Sequence, residues 1–109
     1  MNKEIIKKET ITRLTPLNPE KIILFGSYAY GKPDDNSDID IFLIKEIPKN
    51  EVRNFRLAVR KRLRSWIFKN HLGVDIFADS QTRINERIEM VKDQFYQEIM
   101  QKGIVIYAK

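Results

Sequence analysis

The sequence predicts a small α/β or α+β domain. Three observations point to it: short apolar runs rich in β-branched residues, two long segments whose apolar residues recur at helical spacing, and the alternation of the two kinds along the chain. With 109 residues, the chain is expected to form one domain over residues 1–109.

The elements follow in order. Residues 3 to 14 read as a helix with Ile5, Ile6, Ile11 and Leu14 as its apolar positions, and Pro16 and Pro19 stop its continuation. "KIILF" (21 to 25) is a strand by composition. "GSYAYG" reads as a short helix closed by Gly31, and "KPDDNS" as a loop in which Asp34 and Asp35 serve turn chemistry. "DIDIFLI" (38 to 44) is the second strand. After Pro48, Val52, Phe55, Val59, Leu63 and Trp66 recur at +3, +7, +11 and +14, one face of a helix over about 49 to 69. "GVDIFA" (73 to 78) is a third strand. Ile84, Ile88, Val91, Phe95 and Ile99 mark one further amphipathic helix, with Lys102 in its last turn and Gly103 as its stop. "IVIYA" (104 to 108) closes the chain as a strand.

Composition sets limits on function. No apolar run approaches the ~18 residues of a membrane span, and the N-terminus lacks the apolar core of a signal peptide. There is no cysteine, hence no disulfide framework or thiolate metal site. These points make a cytoplasmic protein the expectation. The net charge is +5, yet residues 51–70 alone carry seven basic residues against one acidic, so the rest sums to −1. The basic surplus belongs to one helix, and the pI alone is no argument for nonspecific nucleic-acid binding.

The chemistry concentrates in residues 23–44. In a strand, residues i and i+2 share a face, so Asp38 and Asp40 project together while Ile39, Ile41 and Leu43 point into a core. Two carboxylates this close raise each other's proton affinity unless a cation offsets them. Mg²⁺ takes oxygen ligands, commonly one or two carboxylates together with substrate phosphates, which suits such a pair at a cleft. A bare D-x-D is also common by chance. Gly26 and Ser27 follow a strand and open a helix, where a residue without Cβ permits close approach of a phosphate and the helix end attracts anions; the same dipeptide also makes an ordinary turn and N-cap.

Gly26-Ser27, ten intervening residues and then Asp38-Ile39-Asp40, in "FGSYAYG…SDIDIFL", resemble the signature of the DNA polymerase beta-like nucleotidyltransferases, and among them the minimal nucleotidyltransferases. The resemblance implies a nucleotidyltransferase fold, with a mixed sheet of about four strands flanked by helices. It implies that Gly26 and Ser27 bind the nucleoside triphosphate and that Asp38 and Asp40 bind two Mg²⁺ ions. Asp75, in "LGVDIFA", stands where the family places a third carboxylate, a metal ligand or the acceptor of the hydroxyl proton; an exposed polar residue on an edge strand is the plainer alternative. Many minimal members are antitoxins, paired with a HEPN-domain toxin, that transfer AMP from ATP to a toxin tyrosine in the type VII manner. The resemblance therefore implies a HEPN partner in a hetero-oligomer, while the composition and charge placement above lead to the expectation of no membrane and no direct nucleic-acid binding.

Alternatives remain open. A non-catalytic module could neutralise its partner by masking it, and the same chemistry could serve a small-molecule or RNA acceptor. Arg53, Arg56, Arg60 and Arg64 form a stripe at i, +3, +7 and +11 that reads as solvated surface or as a dock for an acidic partner or RNA backbone. Lys32 reads as a solvated loop residue, His71 as a helix-end residue and Trp66 as core. Tyr28 and Tyr30 fit packing better than a base pocket.

Overall fold

Two kinds of apolar position alternate along Ile39–Ile44, and they decide the layering of the molecule. A computed structural model describes residues 1–34 and 36–109; Asp35, assigned above to a turn, lies outside the described residues. The strands are β1 (Lys21–Phe25), β2 (Ile39–Ile44), β3 (Val74–Asp79) and β4 (Ile104–Ala108). The helices are α1 (Lys3–Leu14), α2 (Ser27–Tyr30), α3 (Val52–Asn70), α4 (Gln81–Val91) and α5 (Gln94–Lys102).

The strands form one mixed sheet in the order β3-β2-β1-β4, with β1 antiparallel to both β2 and β4 and with β2 parallel to β3. The parallel pair requires a crossover, which α3 supplies. Ile39, Ile41 and Leu43 of β2, with Ile22, Leu24, Val74 and Ile76, pack against Ile6 and Leu14 of α1 and Val59, Leu63 and Trp66 of α3. Phe42 and Ile44, with Ile23 and Phe25, pack against Ile84 of α4 and Ile99 of α5. The sheet is thus covered by helices on both faces, and the expected mixed four-stranded sheet is found.

The last helical segment differs from expectation. One helix was expected through Ile84–Ile99, but the chain breaks at Lys92, whose φ is 55°. Asp93 then caps α5, its Oδ1 accepting from the Tyr96 N–H at 3.1 Å. The apolar period runs through the break without a gap, so only Asp93, a good N-cap residue, marked it in the sequence. Val91 and Phe95 flank the break and stay 56% and 41% exposed instead of joining the core. At the other end of α5, Gly103 is extended (φ −64°, ψ 154°), so it ends the helix without a left-handed turn.

Candidate active site

Register brings the acidic residues together. Across the sheet, Phe25 pairs with Asp40, and Asp40 pairs with Asp75. Residues paired in register project to the same face, so Asp40 and Asp75 stand side by side on the face that carries Phe42 and Phe77 further along the strands. Asp38 lies one residue before β2, where the Ile39 N–H donates to the Gly73 carbonyl at 2.9 Å.

Two glycines make room for the carboxylates. Gly26 has φ +69° and ψ −149°, and a Cβ built on it would lie 2.1 Å from Asp40 Oδ2. A Cβ on Gly73 would lie 2.0 Å from Asp38 Oδ1. Gly26 therefore lets the backbone lie against the Asp40 carboxylate, where an L side chain would meet both an unfavourable φ and the carboxylate itself, immediately before Ser27 opens α2. Gly73 was not singled out from sequence; the available signal was a glycine at the mouth of the strand that bears Asp75.

The electrostatics show a surplus of negative charge. The Asp40 carboxyl is pushed up to about 6, first by desolvation, then by the neighbouring Asp75 carboxylate and then by Asp38. Asp40 is half-buried, whereas Asp38 and Asp75 are exposed. Among the described residues no three acidic or imidazole side chains form a closed metal cage. Asp40 and Asp75 are register partners on neighbouring strands, while the Asp38 carboxylate is turned against Gly73.

This donor set fits a hard divalent cation: it is all oxygen, it opens to solvent on the Asp38 and Asp75 sides, and the excess charge that raises Asp40 is what a bound cation would cancel. Ser27 is partly exposed at the first position of α2.

Other singled-out residues take structural places. Arg56 Nε donates to the Ile76 carbonyl at 3.0 Å and Arg60 to the Val74 carbonyl at 2.9 Å. β3 is an edge strand, so these two side chains cap backbone acceptors on either side of Asp75 that would otherwise face water. Half of the arginine stripe is therefore an edge cover, a role that helical spacing alone cannot reveal. Trp66 is core at 4% exposure, Tyr28 is buried, and Tyr30 is exposed with the Lys102 Nζ 5.9 Å above its ring. His71 ends α3 in the left-handed region (φ 53°). Asp34 builds its turn, its Oδ1 accepting from the Asn36 N–H at 2.8 Å, and Lys32 is exposed.

On the carboxylate face, beyond Asp75, Asp79 accepts from the Tyr96 hydroxyl at 2.7 Å and from Arg83. Burial and Asp79 push the Tyr96 phenol well above its ordinary value. None of these three was marked in the sequence, since the partners lie on separate elements.

Two solved structures share the fold. One is described as a crystal structure of a toxin-antitoxin with AMP-PNP (TM-score 0.53, 18% identity, covering 94% of this chain and 73% of that one). The other is a mutant of the toxin-antitoxin MntA-HpeT (TM-score 0.56, 19% identity, 94% and 73%). Two Methanocaldococcus jannaschii proteins, each bearing the name "Putative protein adenylyltransferase", are similar in sequence. One is 39% identical over 66 residues (56% of this chain and 67% of that protein) and the other 27% identical over 110 residues (98% and 100%). The family model described as "Polymerase beta, Nucleotidyltransferase" matches residues 3–109, so the chain belongs to this nucleotidyltransferase family and is a transferase enzyme.

Proposed function

We propose that the protein transfers AMP from ATP to a hydroxyl, with a tyrosine of a HEPN-domain toxin as the acceptor, and that it acts in the cytoplasm as a type VII-like antitoxin. The observation that carries the reading is the coupling of Asp40 to Asp75 across two strands, with Asp38 beside them and the Gly26–Ser27 corner against Asp40. The protein-adenylyltransferase names of the two relatives and the toxin-antitoxin origin of the two structural neighbours support the choice of acceptor.

In the reaction, the acceptor oxygen forms a bond to the α-phosphorus. The bond from that phosphorus to the bridging oxygen breaks, and pyrophosphate leaves with the electron pair. Asp75, exposed and beside Asp40, takes the acceptor proton. Ser27 and the backbone at the start of α2 orient the β and γ phosphates. Asp38, Asp40 and Asp75 would hold Mg²⁺, which when bound neutralises charge on the phosphates and lowers the pKa of the acceptor hydroxyl. The protein's part is mainly positioning and electrostatics.

The test is incubation with ATP, Mg²⁺ and a HEPN-domain protein encoded beside this chain, read by mass spectrometry. AMP added to a partner tyrosine, and lost in the Asp38→Asn/Asp40→Asn double variant, is the expected result. A tight complex with no added mass under any nucleotide or divalent metal contradicts transfer and supports masking.

A further inference from the structure

A cleft of about 720 Å³ opens on the carboxylate face beside β3. Its floor holds Phe42 and Phe77, two residues beyond Asp40 and Asp75 on the same strands. Two residues along a strand is ~7 Å, within reach of one aromatic side chain. Its outer wall is the α4–α5 break, where Met90, Val91 and Phe95 are 80%, 56% and 41% exposed. The rings of Phe77 and Phe95 lie 5.2 Å apart. Met90, Val91 and Phe95 stay outside the core, while Phe42 is fully buried beneath the cleft.

Position across the sheet decides what the cleft receives. The order is Gly26 after β1, then Asp40 on β2, then Asp75 on β3. In-line displacement at phosphorus sets the attacking and leaving oxygens on opposite sides. With the triphosphate tail at Gly26–Ser27, pyrophosphate departs on the β1 side and the acceptor must enter from the β3 side, where the cleft lies. The cleft's charge is biased as well. Asp79 and Asp93 are committed to Arg83 and Arg87. That leaves Lys49 and Arg56 against Glu86 alone.

We propose that this cleft is the acceptor site, and that it takes a protein segment presenting a tyrosine flanked by acidic residues. The chemistry rests on the transferase reading; the docking surface is a separate claim and is tested separately. The phenol ring lies on the Phe77–Phe95 aromatic floor, its hydroxyl reaches toward Asp75, and the flanking acids meet Lys49 and Arg56.

The test uses a fluorescein-labelled decapeptide with one central tyrosine among glutamates and a lysine-flanked counterpart, titrated by anisotropy with the full chain. The glutamate peptide is expected to bind at least fivefold tighter than the lysine peptide. Met90→Glu, at an exposed position, is expected to weaken it at least fivefold. Glu86→Lys is expected to tighten it at least threefold, a gain that misfolding cannot produce. Thermal stabilisation by ATP and Mg²⁺ stays unchanged in both variants. Absence of peptide binding, or binding indifferent to Met90 and Glu86, overturns the proposal. Loss of ATP stabilisation in Met90→Glu also overturns it, because the cleft would then hold the nucleoside. If ATP and Mg²⁺ fail to stabilise the unsubstituted protein, the transferase reading fails, while the anisotropy result still decides the cleft.

Discussion

Replacing Gly26 by alanine probes the candidate site through one atom. The backbone there, at φ +69° and ψ −149°, lies in a region that is almost exclusively glycine's, and the added Cβ would stand 2.1 Å from Asp40 Oδ2 and 3.0 Å from its Cγ. Holding an L residue in such a conformation costs of order 1–3 kcal/mol. The contact cannot be absorbed in place, since carbon contacts are optimal near ~3.5–4 Å, so the Asp40 carboxylate must swing away from Gly26 on the β1 side, toward Asp75 on the β3 side. A net loss of about 2 kcal/mol follows, which lowers Tm by roughly 8 °C for a domain of this size. The second effect is functional: a displaced Asp40 no longer faces the Gly26–Ser27 corner, so the stabilisation given by ATP with Mg²⁺ should vanish. Thermal melts followed by circular dichroism, with and without ATP and Mg²⁺, read both effects. A Gly26→Ala variant that melts within 2 °C (roughly 0.5 kcal/mol) of the parent and keeps the full ATP shift would refute the reasoning.

Three further outcomes follow from the same geometry. In the ion-free protein Asp40 titrates near 6, above its ordinary value, so its contribution to stability is fully present below about pH 4 and is lost as pH rises through 6; melts across this window should show the loss, and Mg²⁺ should counter it above pH 6, where Asp40 is charged. Arg56→Ala and Arg60→Ala each strip a donor from an edge carbonyl and should each cost about 1 kcal/mol in urea unfolding, with β3 amides gaining hydrogen exchange ahead of β1. Asp93→Ala removes the α5 cap and should cost about 1 kcal/mol, with amide exchange rising first at Tyr96, whose N–H it accepts.

The fold was legible because each strand and helix carries its own local signal. β1, β2, β3, β4, α1 and α3 lie within a few residues of the spans expected from pattern. The pairing of Asp40 with Asp75 was anticipated only through the family signature, because register between distant strands leaves no local trace. The break at Lys92–Asp93 was hidden by an apolar period that continues across it. The cover that Arg56 and Arg60 give to β3 was hidden for a related reason: helical spacing shows that residues share a stripe, and says nothing of a sheet edge lying beneath it. Gly73 shows its purpose only once Asp38 is seen against it.

The three aspartates act as proposed only if a divalent ion and a triphosphate settle beside them. A crystal grown with Mn²⁺ and a nonhydrolysable ATP analogue, read by anomalous scattering, locates both. The expected map shows manganese at ~2.1–2.2 Å from oxygens of Asp38 and Asp40, a distance close to that of Mg²⁺, with the β and γ phosphates on the Gly26–Ser27 corner and Asp75 facing the metal. Nucleotide bound elsewhere, or a metal that leaves all three aspartates untouched, would contradict it.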